Sequence, residues 1–267
     1  MPNKNKLLAN YSVLLGIIKD KYIILNGKIY CGMSNPYFSF KKFTVYHDLC
    51  AMKVGTDGVL LGAWVNVADS RKVLDIGTGT GLLALMVAQR NEKANITAID
   101  VDKQAVKQAK NNVFLSPWSN RIEVVQADAT IFESPVLYDT ILSNPPYFVD
   151  SLKGPDEQRN MSRHSDALPA WKLIDKVAEL LTLEGSFSMI IPFEQTDDFV
   201  DYAKLVGLHL SRHTRVSTRI GLPPKRSLLE FKKTFSEVKM DELTIELSRH
   251  VYTEEYIHLT KDFYLKM

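Results

Sequence analysis

Cysteine is scarce: Cys31 and Cys50 are the only two among 267 residues. That is too few for a disulfide framework, and no Cys/His spacing resembles a zinc site, so no metal is expected. No apolar run approaches the ~20 residues that a bilayer span needs, so no membrane association is expected either. Internal repeats and low-complexity tracts are absent, which excludes array architectures. Charge of one sign is lacking too. The net charge is +2, and bulk charge therefore names no partner. A reducing cytoplasm is the expected compartment. The length suits one sizeable α/β core with additions, expected as a monomer, and is too short for two full catalytic domains.

Lys4, Lys6 and the apolar run 11–18 faintly imitate a signal peptide, but Lys19-Asp20-Lys21 breaks the run. No small-residue cleavage site follows. Lipid attachment at Cys31 is disfavoured, because nothing downstream looks extracellular. Met33-Ser-Asn-Pro-Tyr reads as a start in its own right. Residues 1–36 are set apart as an N-terminal extension, a candidate for a dispensable segment, and 37–267 as the catalytic domain.

From Val73 onward, strand-like and helix-like patterns alternate. Short apolar runs at 73–76, 95–100, 121–128, 138–143 and 186–192 read as strands. Helical spacing occupies 82–90, 103–113 and 171–183, the last with Gly185 as its C-terminal cap. Such alternation predicts a mostly parallel sheet with helices on both faces, a Rossmann-like α/β fold. Pro223-Pro224 separates two β-rich runs, 208–216 and 227–234, predicted as an antiparallel hairpin at the sheet edge. Thr253 is expected to cap a last short helix.

The end of the first strand runs into the first helix through Asp75-Ile-Gly77-Thr-Gly79-Thr-Gly81, with Asp75 just before the turn. Its glycines allow tight dihedral angles and close approach of backbone to a ligand. The spacing differs from the G-x-G-x-x-G that cradles a pyrophosphate, and Asp75 would repel a phosphate. A carboxylate there could instead hold the ammonium of an amino-acid ligand, directly or through water. Asp100 ends the second strand, where it could accept both ribose hydroxyls. Asp128 ends the third, where it could accept from an adenine amine. An amine, a ribose and an adenine without phosphate describe S-adenosylmethionine. NAD is the rival cofactor. The bland alternative, helix-capping acids and a lone glycine turn, is weakened by the order in which all these features occur.

Asn144-Pro145-Pro146-Tyr147 follows the fourth strand. The exocyclic nitrogen of adenine is a poor nucleophile because its lone pair is delocalised. A site for it needs two acceptors for its N–H groups, and the Asn144 oxygen and Pro145 carbonyl can supply them. The prolines fix φ and pre-aim those carbonyls, which is electrostatic preorganisation. Tyr147 offers a stacking face worth on the order of 1–3 kcal/mol per base. Alone, the motif could be a Pro-Pro turn with a core tyrosine.

A basic stripe runs from Lys204 to Lys233, eight basic residues against the single acid Glu230. Such a stripe suits a polyanion docked on one face, or a solvated surface. Arg215, Lys225 and Arg226 are its candidate RNA contacts.

The stretch Phe43–Trp64 resembles the segment before the cofactor motif in bacterial methyltransferases that modify N6 of adenosine 37 in valine tRNA. Residues 75–86, Asn111-Asn112 with Ser116-Pro117-Trp118, 143–148 and Phe263-Tyr264-Leu265 continue the likeness, which spans roughly 38–267. Asn-Pro-Pro-Tyr is shared with DNA adenine and release-factor glutamine methyltransferases; Met52–Gly58 followed by Leu61-Gly-Ala-Trp64 is more diagnostic. The resemblance implies a class I methyltransferase with a seven-stranded sheet, S-adenosylmethionine as methyl donor and tRNA as partner. It also implies that Lys53–Gly58 lies over the cofactor and that Arg159 and Arg163 face RNA. Three alternatives stay open: a glutamine methyltransferase, whose helical N-terminal domain has no room here; a DNA adenine methyltransferase, which would need a sequence-reading domain; and a degenerate scaffold.

Overall fold

A computed structural model of the chain describes residues 22–25, 28–31, 35–50, 53–145 and 170–267. The chain divides into two units, Met1–Pro36 and Tyr37–Met267. In the first, β1 (Tyr22–Leu25) pairs antiparallel with β2 (Lys28–Cys31). The sequence reading missed this hairpin.

The second unit opens with a small hairpin, β3 (Tyr37–Ser39) and β4 (Thr44–Tyr46), followed by helix α1 (Thr56–Trp64). Then come β5 (Lys72–Ile76), α2 (Leu82–Arg90), β6 (Asn95–Asp100), α3 (Lys103–Phe114), β7 (Ile122–Gln126) and β8 (Tyr138–Ser143). The chain continues through α4 (Ala170–Leu180), β9 (Leu181–Pro192), α5 (Thr196–Leu205), β10 (His209–Arg219) and β11 (Arg226–Lys232). It ends with β12 (Lys239–Ser248), β13 (Val251–Tyr252) and α6 (Glu254–Thr260).

One sheet of nine strands runs in the order β13-β12-β10-β11-β9-β8-β5-β6-β7. From β9 to β7 all neighbours are parallel. The chain steps outward from β5 to β7, then returns to the other side of β5 as β8. The strand order therefore reverses between β5 and β8, and a crevice opens at their carboxyl ends, where ligands of such sheets bind. Alternation along β5 sends Leu74 and Ile76 into the core under α4 and α5. Val73 faces the core under α1, α2 and α3. Asp75, two residues on from Val73, is fully buried on that second face.

The Rossmann-like class stands, with nine strands where seven were expected. The runs around Pro223-Pro224 do pair antiparallel, but the pair is not the edge. β11 joins β9, and β12 lies parallel beside β10 before β13 closes the sheet. β12 is thinly encoded, with Leu243 buried while Met240 and Leu247 are exposed. Gly185 is no helix cap: α4 stops at Leu180 and β9 begins at Leu181. There the register jumps from Tyr138↔Leu181 to Thr140↔Ser186. A Cβ at Gly185 would come within 2.8 Å of Leu181 Cδ1 and 3.0 Å of the Asp139 carbonyl. The glycine serves that bulge. Thr253 caps α6 as expected, its Oγ1 accepting from Tyr256 N at 3.1 Å.

Candidate active site

The glycine turn takes the conformation its sequence demands. Gly77, Gly79 and Gly81 all have positive φ, at 72°, 56° and 82°, a region where a side chain is strained. Cross-strand bonds fix the turn: Gly77 N and Thr78 N both donate to Ile99 O at 2.9 Å. Gly81 is the N-cap of α2, and the first turn of that helix is satisfied in part by Asp75, whose Oδ2 accepts from Ala84 N.

Asp75 is held from below. Its Oδ2 accepts from Thr78 Oγ1 at 2.6 Å and Ala84 N at 3.2 Å. Among the described residues its buried Oδ1 has no hydrogen-bond partner. Burial, and to a lesser extent Asp100, pushes this carboxyl up to about 7 against the pull of the Thr78 and Ala84 bonds. A buried acceptor left open carries a desolvation penalty that an incoming ammonium relieves.

Asp100 is aimed by the backbone: Oδ2 accepts from Gly79 N at 2.8 Å and Oδ1 from Asp102 N at 2.9 Å. Each oxygen keeps a second lone pair for a ligand hydroxyl. Asp128 lies past the end of β7, exposed, with Oδ1 accepting from both Thr130 N and Thr130 Oγ1. Those bonds lower its pKa.

Asn144 is the first residue after β8 and is half-buried. Ser143 Oγ donates to Ile76 O at 2.9 Å, tying the end of β8 to the root of the glycine turn. Pro145 is buried beside it. Pro146, Tyr147, Arg159 and Arg163 lie outside the described residues. Lys53 is exposed just before α1. The first turn of that helix reaches the site: a Cβ on Gly58 would come within 2.9 Å of Leu82 Cδ2 and 3.8 Å of Asn144 Nδ2.

Two residues that build this wall, Asn112 and Gln108, carry no site role in the sequence reading, although Asn112 lies within the family likeness. Asn112 donates to Tyr46 O and to Thr80 O, each at 2.8 Å, and accepts from Tyr46 N at 2.9 Å. Gln108 accepts from Leu49 N at 2.9 Å. Together they bind the stretch before Lys53 to α3 and the glycine turn. Buried amides on an otherwise charged helix were the available signal. Cys50 falls in the same stretch; burial, then Asp100, Asp102 and Asp48, push its thiol up to about 11.

The basic stripe fares differently. Arg215 pairs with Glu242 at 2.7 Å, Arg219 with Glu246 at 3.4 Å and Arg226 with Asp57 at 2.8 Å. Arg212 pairs with Glu230 and lies 3.6 Å over the Trp64 ring, whose Nε1 donates to Thr214 Oγ1. Lys225 is exposed.

This crevice defines a class. Residues 50–196 match the family of the methyltransferase small domain. A predicted O-methyltransferase from Agrobacterium tumefaciens, known from its crystal structure, shares the fold at TM-score 0.60 and 20% identity, over 78% of this chain and 96% of that one. The chain is thus built as a class I methyltransferase. Nearer relatives narrow this. A Phocaeicola vulgatus protein named tRNA1(Val) (adenine(37)-N6)-methyltransferase is 59% identical over 88% of this chain and 100% of its own length. A Bacteroides fragilis protein of the same name is 52% identical over 88% and 100%. The chain belongs to the tRNA1(Val) (adenine(37)-N6)-methyltransferase family. Membership implies S-adenosylmethionine as methyl donor, and the open buried oxygen of Asp75 fits its amine.

Proposed function

We propose that this protein transfers a methyl group to the exocyclic N6 of adenosine 37 in the anticodon loop of valine tRNA, in the cytoplasm. The observation that carries this reading is Asn144 at the carboxyl end of β8, tied through Ser143 and Ile76 to the glycine turn. An acceptor for a planar nitrogen stands beside the turn that would hold a methyl donor. Bound there, S-adenosylmethionine supplies an electrophilic methyl on a sulfonium. Asp75 takes the amine, Asp100 the ribose hydroxyls and Asp128 the adenine amine. Asn144 Oδ1 and the Pro145 carbonyl accept the two N6 hydrogens, leaving the nitrogen lone pair turned toward the methyl. Pro146 and Tyr147 complete the motif, with Tyr147 as the stacking face for the target base. Lys53 and the residues to Gly58 cover the cofactor.

The target base must leave its stack to reach Asn144, and an unpaired loop base costs less to extrude than a duplex base. Phosphates beside it are met by Lys225, Arg215, Arg159 and Arg163. The Arg215–Glu242 pair is exposed, 41% and 73% for the two side chains, so it contributes little and can open toward a phosphate.

The test is transfer of labelled methyl from S-adenosylmethionine to total tRNA, DNA and a release factor in separate reactions, followed by nucleoside analysis. N6-methyladenosine in valine tRNA is expected. Label on glutamine or on DNA alone overturns the reading.

A further inference from the structure

Helix α1 is fastened differently at its two ends. At its C-terminal end Arg90 Nη1 donates to Gly62 O and Val65 O at 2.9 and 2.6 Å, and Arg212 both stacks on Trp64 and donates to its carbonyl at 3.0 Å. The N-terminal end has Gly55 as N-cap with no side-chain cap bond. It is tied to the sheet by Arg226 Nε donating to Asp57 Oδ2 at 2.8 Å, with side chains only 27% and 22% exposed. Arg226 is the first residue of β11 and the register partner of Pro192, the last residue of β9. β9 runs parallel to β8, with Met189 opposite Ser143. The ion pair therefore lies on the sheet edge where Asn144 stands. Gly58, next to Asp57, is the residue whose missing Cβ leaves room for Leu82, and the same point lies 3.8 Å from Asn144 Nδ2.

We infer that Asp57 and Arg226 are a positioning pair for methyl transfer: they hold the first turn of α1 against Asn144 and the start of α2. This inference rests on the proposed reaction at Asn144. It assigns Arg226 to the enzyme's own wall in place of the RNA surface. A half-buried, short guanidinium–carboxylate contact resists exchange for a phosphate, because breaking it there costs more than breaking an exposed pair.

Asp57→Asn removes one charge at constant shape, Arg226→Gln removes the other while leaving a shorter polar side chain, and Asp57→Arg combined with Arg226→Asp reverses the pair. With valine tRNA transcript and S-adenosylmethionine, each single variant is expected to lower kcat by roughly tenfold, the scale of a disturbed catalytic geometry. KM for tRNA and the salt dependence of tRNA binding should stay at wild-type values. The reversed pair should recover part of the lost kcat. Hydrogen exchange gives a readout independent of activity: the Val59 amide, bonded to Gly55 O at 3.4 Å, should exchange faster in both single variants, and the Val65 amide, bonded to Leu61 O at 2.9 Å, should not.

Unchanged kcat and unchanged Val59 exchange in Asp57→Asn overturn the inference. So does a raised tRNA KM with a flatter salt slope in Arg226→Gln alone, which would mark Arg226 as a phosphate contact. A wild-type protein that methylates no tRNA defeats the proposed reaction instead, and the exchange data then decide the pair by themselves.

Discussion

The cofactor crevice and the β10–β12 flank are two charged regions of this molecule, and their charges are handled in opposite ways. In the crevice Asp75 is fully buried, yet one of its oxygens meets no partner among the described residues. On the flank, Arg212, Arg215 and Arg219 each meet a carboxylate supplied by β11 or β12. The crevice accepts an energetic cost that a ligand can relieve, whereas the flank neutralises itself. An uncompensated buried group is therefore a stronger pointer to binding than a run of like charges.

The contrast can be broken most sharply at Asn144. Asn144→Ala should reduce methyl transfer by ~100-fold or more while leaving cofactor affinity nearly intact, the scale of losing one oriented acceptor. Single-turnover kinetics beside calorimetry separates the two quantities, and near-normal turnover would place the acceptor elsewhere. Next is Asp100→Ala, expected to weaken S-adenosylmethionine binding by roughly 1.5–3 kcal/mol, as for a lost charge-assisted bond. Titration calorimetry with unchanged affinity would remove Asp100 from the ribose site.

Asp75 sharpens the comparison through pH. Its folded-state pKa of about 7 lies above the ordinary 3.8, so the folded protein holds a proton that the unfolded chain has released. Stability without cofactor should therefore fall as pH rises from 3.8 to about 7. An ammonium favours the ionised carboxylate, so cofactor affinity should rise across the same upper range and level off above it. Melting curves and binding titrations at several pH values test both trends, and Asp75→Asn should flatten them. A pH-independent affinity in the wild type would show that the amine is held by another group.

The smallest effect belongs to the flank. Replacing Arg215 and Lys225 by Ala should flatten the salt slope of tRNA binding by about one unit per lost phosphate contact. Folding stability should change by no more than ~1 kcal/mol, since the Arg215 pair is exposed. An unaltered slope would mean that the flank is only a self-neutralised surface.

Much of the crevice was legible in the order of residues. The strands at 95–100 and 138–143 and the helix at 82–90 fall where their patterns place them. The glycine turn adopts the positive φ values its spacing requires. These features are local: each depends on the periodicity or dihedral freedom of a few consecutive residues. Gly185 misled for the same reason, since a glycine after a helical run looks like a cap until the strand beside it is known.

The sequence by itself therefore determined the alternating α/β frame, the conformation of the glycine turn and the place of Asn144 directly after a strand. Tertiary structure decided which charges remain available. Arg215 meets Glu242 across 27 positions of the chain, and Arg226 meets Asp57 across 169. Counted along the chain, the stripe is strongly basic; folded, it lies beside the acids of β12. Asp75 shows the converse, an ordinary carboxylate in sequence whose neighbours in space bury it and leave one oxygen open. Local propensity acts over a few bonds, whereas electrostatic compensation and burial depend on distance in space, and only the fold sets that distance.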